Sequence, residues 1–147
     1  MKIAVVYQSR GGNTKAVAEA IARAAGVAAE PIGKAFDGTA DLLFIGGGVY
    51  AWGLDKDFKA YLETLSAQNV KAIVPFTTAG GMDKTKDIAA IAEKNGIAAA
   101  NERLAVRFGL KNHGIFGGGK SPVTLADKQV AAVNEFVSKA LAEAEAR

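Results

Sequence analysis

The chain has no cysteine, a single histidine, a single tryptophan and only three prolines in 147 residues. Without cysteine there is no disulfide, no thiolate nucleophile and no Cys-ligated zinc or iron–sulfur centre. His113 alone excludes a multi-histidine metal site. No apolar run approaches the roughly 20 residues that span a bilayer. From Lys2 the sequence passes directly into a strand-like run, with no separate apolar segment or small-residue cleavage site, so the expectation is a cytoplasmic protein with no signal peptide and no membrane contact. Excess charge is modest, +3 with a pI near 9.2. Lys and Arg are scattered, whereas nucleic-acid binding calls for a basic stripe with interleaved aromatics. A mildly positive surface suits an acidic partner. An enzyme of this composition takes its chemistry from a cofactor, or from carboxylates and hydroxyls.

What is present is ordinary for a globular chain: 50% hydrophobic and 22% charged residues, enough for one domain, 1–147, with a real core. Its most informative stretch comes early. Ile3 to Tyr7 is a β-branched apolar run that reads as a buried strand. Ser9, Arg10, Gly11, Gly12, Asn13 and Thr14 form a small polar turn, and Val17, Ala20, Ile21 and Ala24 then recur with helical spacing. Strand, tight turn and helix make a place for an anion. The first amides of a helix lack intrahelical acceptors, and the peptide dipoles put partial positive charge there. Ser9, Asn13 and Thr14 add side-chain donors, and the glycines let backbone approach a ligand.

The rest of the chain alternates. The first helix, from about Asn13 to Ala25, stops at Gly26, suited to a left-handed cap. Val27 to Ile32 is a weak strand that Pro31 confines to a sheet edge. Lys34 to Thr39 is a polar connection. Asp41 to Gly46 reads as a central parallel strand because it lacks alternation. The glycine-rich segment Gly46 to Leu54 follows it as a loop. Asp55 starts a helix with Phe58, Tyr61, Leu62 and Leu65 on one face, and Asp55, Lys56 and Asp57 read as helix-start, solvated charge. Ala72 to Phe76 is a strand ending in the loop Thr77 to Gly81. A helix from about Lys84 to Lys94 turns Ile88 and Ile91 inward and closes at Asn95-Gly96. Leu104 to Phe108 is the last strand and Gly114 to Gly119 a loop. Thr124 to Asp127 opens a final helix whose buried stripe is Val130, Val133, Phe136, Val137 and Leu141. This is an α/β pattern: a three-layer, doubly wound, five-stranded parallel sheet. The first turn lacks Gly-x-Gly-x-x-Gly, so the order 2-1-3-4-5 fits better than the dinucleotide-binding one, and the ligand crevice lies outside the C-terminal ends of strands one and three.

The wording Ser-x-x-Gly-Asn-Thr directly after the first strand, followed by Val17-Ala18, resembles the phosphate loop of flavodoxins. The loops after strands three and four fall at the same sheet edge. Tyr50 and Trp52 are candidates to stack on a flat ring, each with a place in the core as its alternative. Thr77, Thr78, Ala79, Gly80 and Gly81 offer backbone groups without steric bulk. By the resemblance, Ser9, Arg10, Gly11, Gly12, Asn13 and Thr14 take the phosphate of FMN, Arg10 mainly through its backbone. Tyr50, Ala51, Trp52 and Gly53 sit against the isoalloxazine, and Thr77, Thr78, Ala79, Gly80 and Gly81 line its pyrimidine side. No side chain is catalytic in the usual sense. The expected function is a flavodoxin-like electron carrier, a monomer working with redox partner proteins, acidic-faced ones in view of the chain's own charge. The alternatives are an FMN-dependent NAD(P)H:quinone or flavin reductase of the same fold, and a binding module that has lost flavin.

The chain also departs from that family. Ala79 and Gly80 stand where many flavodoxins carry a second sandwiching aromatic. Its basic charge is opposite to that of many flavodoxins, implying a less negative potential. The insertion that splits the last strand in long-chain members is not apparent, so the likeness is to the short-chain type. A phosphorylated-aspartate receiver needs an acidic pair where Tyr7-Gln8-Ser9 stands. His113 reads as a surface loop residue, and Asp41 and Asp83 have nothing specific behind them as catalytic acids.

Overall fold

Continuous apolar runs become central strands because both faces of a doubly wound sheet are covered. The computed structural model describes residues 1–33, 36–79, 81–108 and 123–146. In chain order the elements are β1 (Ile3–Gln8), α1 (Asn13–Ala25), β2 (Ala29–Pro31), β3 (Ala40–Tyr50), β4 (Gly53–Leu54), α2 (Lys56–Glu63), β5 (Val70–Ala79), α3 (Thr85–Lys94), β6 (Ala98–Ala99), β7 (Leu104–Arg107) and α4 (Asp127–Glu145). The sheet runs β2-β1-β3-β5, and both β6 and β7 then pair with β5. β6 lies beside Ala72 and Ile73, and β7 beside Phe76 to Ala79. Taken as one broken position, β6 and β7 complete the expected parallel order 2-1-3-4-5. The two residues of β6 are too few to leave a pattern in the sequence. β2, with Pro31 opposite Tyr7, is the edge strand its proline requires.

Alternation along each strand divides the core in two. Val5, Tyr7, Leu42, Phe44, Val74 and Phe76 face α1 and α4, where Phe44 meets Phe136 edge-on with ring centroids 5.7 Å apart. Val6, Leu43, Ile45 and Ile73 face α2 and α3, against Phe58, Leu62 and Ile88. Each large side chain removed from water in this way contributes about 1.5–3 kcal/mol. Gly26 caps α1 at φ 76°, its amide donating to the carbonyls of Ala22 and Arg23. Val130 departs from the expected stripe: it is 36% exposed, and burial along α4 starts one turn later, at Val133. No helix among the described residues is long and apolar enough to cross a membrane.

Two strands run further than their sequences imply, and this shapes the site. β3 continues through Gly46, Gly47 and Gly48 to Tyr50, and β5 through Thr77 and Thr78 to Ala79. Glycine weakens an isolated strand, but here the β3–β5 ladder continues through Gly46↔Phe76, Gly47↔Thr77 and Gly48↔Thr78. Each glycine makes room for one aromatic ring. A Cβ on Gly46 would lie 2.3 Å from the Phe76 ring, one on Gly47 2.8 Å from Phe58, and one on Gly48 2.6 Å from the Tyr50 hydroxyl. Beyond Tyr50, the expected loop is a tight hairpin. Tyr50 pairs with Gly53 across a two-residue turn of Ala51 and Trp52, with φ of 48° and 71°. Such turns require positive φ at both central residues, normally supplied by Asn-Gly. Ala and Trp adopt it here at a cost in backbone strain.

Candidate functional site

The C-terminal ends of β1, β3 and β5 lie side by side, so the stretches at these ends meet. From β1 the chain enters the Ser9–Gly12 turn, where Gly12 takes φ 96°, a value that L side chains resist, and donates its amide to Ser9 Oγ at 3.1 Å. Ser9 thereby holds the turn's shape and keeps its own O–H to donate. Asn13 and Thr14 begin α1, whose first amides have no intrahelical acceptor. Thr14 is buried, and its hydroxyl lies 2.6 Å from that of Thr78, also buried. This bond ties the first turn of α1 to the end of β5.

A second tie joins the turn to the end of β3. The Arg10 amide donates to Tyr50 Oη at 3.2 Å. The Arg10 guanidinium lies 4.1 Å from the centroid of the Tyr50 ring, in cation–π geometry. Its Nε donates to Asp55 Oδ2 at 2.8 Å, and the two side chains form an ion pair. Asp55 is therefore more than a solvated helix-start charge. It is 4% exposed, and its other oxygen accepts from the Asp57 and Phe58 amides, capping α2. Burial pushes its carboxyl up, but the Arg10 guanidinium and the two amides together outweigh burial and hold it below the ordinary carboxylate range. Burial likewise pushes the Tyr50 phenol up, against an opposing pull from the Arg10 amide and charge.

The other expected site residues are spread along this edge. Gly11 and Asn13 line a cavity of about 20 Å³ with Gly48, Tyr50, Thr78 and Ala79. Ala51 and Trp52 form the hairpin tip, and Trp52 is 80% exposed. Gly53 follows in β4. Thr77 is fully buried in β5, on the opposite face from Thr78, and its hydroxyl has no hydrogen-bond partner among the described residues. Gln8 Oε1, on the same register row with Gly47 between them, likewise has no hydrogen-bond partner among the described residues. Gly81 is exposed, and Gly80 lies outside the described residues, as do His113 and the Gly114–Gly119 stretch. Asp83 accepts from the amide and hydroxyl of Thr85 at the start of α3. Asp41 pairs with Lys71 and with the Lys2 amide. Both have structural work of their own.

Sequence reasoning missed the Arg10–Asp55 pair. The two residues stand 45 positions apart. The available signal was an arginine in a turn expected to bind an anion, together with an acid at the start of the helix that follows the neighbouring strand of the expected order.

A family profile described as a flavodoxin domain matches residues 4–120. No curated protein matches the sequence. Among solved structures, the chain is similar to rubredoxin oxygen:oxidoreductase from Desulfovibrio gigas, with TM-score 0.70 and 15% identity over 99% of this chain. It spans 36% of that longer protein. The two-electron reduced flavodoxin of Megasphaera elsdenii superposes with TM-score 0.59 at 20% identity, covering 94% of this chain and 99% of the other. An NADH:FMN oxidoreductase in its apo form gives TM-score 0.60 at 13% identity, covering 95% and 88%. At these identities the likeness is one of fold.

Proposed function

The chain belongs to the flavodoxin domain family, and from that premise we propose that it binds FMN without a covalent bond and carries electrons between redox partners. The observation that carries this reading is the joining of three sequence-separated stretches into one site. The Ser9–Thr14 turn is bonded to β5 through Thr14 and Thr78, and to β3 through Arg10 and Tyr50. An anion fits the donor set: the amides at the start of α1, the Ser9 hydroxyl, and Gly12 in a conformation that opens the turn. In this reading Ser9 to Thr14 hold the phosphate. Trp52, the more exposed of the two aromatics, stacks on the ring, since the Arg10 guanidinium already lies over Tyr50. Thr77 to Ala79, whose backbone is paired with β3 and β7, bring the end of β5 beside the turn. The flavin, when bound, supplies the electron-accepting and electron-donating chemistry, while the chain binds and orients it and sets the field around it. A chain of net charge +3 favours partners with an acidic face, through an attraction that weakens as salt rises.

A visible spectrum of the purified protein followed by titration with FMN, FAD and riboflavin tests the cofactor. Quenched flavin fluorescence with a clear preference for FMN is expected, and a protein that ignores all three flavins overturns the reading. One observation favours a second reading, an FMN-dependent NAD(P)H reductase. The end of β5 carries Thr77, Thr78 and Ala79, none of them an aromatic that would cover a second ring face against a hydride donor. Saturable NAD(P)H oxidation by the holoprotein alone would select the reductase, and its absence the carrier.

A further inference from the structure

We propose that the charge of a phosphate group at the Ser9–Thr14 turn is met by Lys15, while the Arg10 side chain serves the hairpin that follows β3. The proposal rests on the reading of that turn as a phosphate site, and it divides the work between the two cations beside it.

A cavity of about 360 Å³ is lined by Ser9, Arg10, Gly11 and Gly12 of the turn, by Lys15 of α1 and by Pro31 of β2. Its size is that of an ordinary ligand pocket. Two of these residues are cationic, and they differ in what already holds them.

The Arg10 guanidinium is committed. Its Nε donates to Asp55 Oδ2 at 2.8 Å, the two side chains form an ion pair, and the guanidinium lies 4.1 Å from the centroid of the Tyr50 ring. Asp55 is only 4% exposed and is itself fixed by the Asp57 and Phe58 amides. A buried carboxylate that loses its cation is costly, so a phosphate competes with Asp55 for Arg10. At longer range the opposite charges of the pair largely cancel.

Lys15 is held loosely. Glu19 Oε1 lies 4.0 Å from its Nζ, the outer limit of an ion pair, and the two side chains are 58% and 48% exposed. An exposed i,i+4 pair of this kind contributes little, so Lys15 can turn toward an anion at small cost. Its place in the helix points the same way. Lys15 stands in the first turn of α1, where no residue is acidic and no side chain caps the helix. The peptide dipoles favour acids there and oppose a cation. A bound anion reverses that balance, because it answers the lysine and the helix dipole together. Departures from a local rule are expected at functional positions.

The test compares wild type, Lys15→Gln, Lys15→Arg and Arg10→Gln, each titrated with FMN and riboflavin by flavin fluorescence at low and high salt. Lys15→Gln is expected to bind FMN about three- to tenfold more weakly at low salt, with the difference shrinking as salt rises. Riboflavin, which has no phosphate, should bind Lys15→Gln as it binds wild type, and Lys15→Arg should restore FMN binding. Arg10→Gln should change the two flavins by a common factor or not at all, since its guanidinium acts through the hairpin. A Lys15→Gln protein that binds FMN like wild type, or loses riboflavin equally, overturns the assignment. So does a Lys15→Arg protein no better than Lys15→Gln, or an Arg10→Gln protein whose loss is confined to FMN. Inorganic phosphate, followed by the amide NMR shifts of Gly11 to Thr14, separates this proposal from the cofactor reading. If no protein binds a flavin but Lys15→Gln needs more phosphate than wild type, the cofactor reading fails and Lys15 keeps its role. Equal phosphate responses, or none in any protein, overturn it.

Discussion

The two halves of β3 do opposite things with one backbone. From Ala40 to Ile45 the strand supplies volume: Leu42 and Phe44 to the core under α1 and α4, Leu43 and Ile45 to the core under α2 and α3. From Gly46 to Gly48 it supplies none, and rings from other places fill the space: Phe76 from β5, Phe58 from α2 and Tyr50 from two residues further along. In the first half the strand's own side chains determine what packs on it. In the second half the absence of side chains lets neighbours lie flat, and that flat shelf is where the three stretches of the site converge. A stable core and a site that approaches backbone closely are thus built in succession on one strand.

The contrast can be broken from either side. Removing volume from the first half should have the largest effect. Phe44→Ala deletes a fully buried ring that touches Phe136 and should cost about 3–5 kcal/mol in denaturant unfolding. Adding a single carbon to the second half is the matching experiment. Gly46→Ala forces a Cβ onto the Phe76 ring, itself fully buried, and should cost about 1–3 kcal/mol. A neutral Gly46→Ala would show that the shelf has slack and that crowding does not explain the glycine.

Two smaller changes sharpen the comparison at the site end. Thr14→Val leaves the Thr78 hydroxyl buried without its 2.6 Å partner. It should cost about 1–3 kcal/mol before any ligand is added, and unfolding like wild type would mean that α1 and β5 are not tied there. Ala51→Gly relieves one positive-φ residue at the hairpin tip and should raise stability by about 0.5–1 kcal/mol. An unchanged or lowered midpoint would argue that the turn carries no strain.

Much of this architecture is legible locally. Gly26 and Gly96 end helices at positive φ. The apolar runs at Ile3, Leu42 and Ala72 are continuous because both their faces are buried, and Pro31 marks an edge. The Ser9–Thr14 turn between β1 and α1 is marked by its own small and polar residue types. The ends of β3 and β5 are not legible in this way. A glycine triplet looks like a loop until the rings that occupy it are known, and those rings come from positions 50, 58 and 76. The split of the last strand into β6 and β7 is equally hidden, since two residues carry no period.

By itself the sequence determined the succession of the main strands and helices, the cover on both faces of the sheet, the exclusion of thiol and multi-histidine chemistry, and the strand, turn and helix around Ser9 to Thr14. These follow from composition and from periodicity over a few neighbouring residues. Only the tertiary structure decided which partners the site residues take. Arg10 meets Asp55 across 45 positions, and Thr14 meets Thr78 across 64. Tyr50 turns back over Gly48 toward the turn while Trp52, two residues on, stays in solvent. Hydrogen bonds and ion pairs act over a few ångströms of space, and the sheet brings distant stretches within that range.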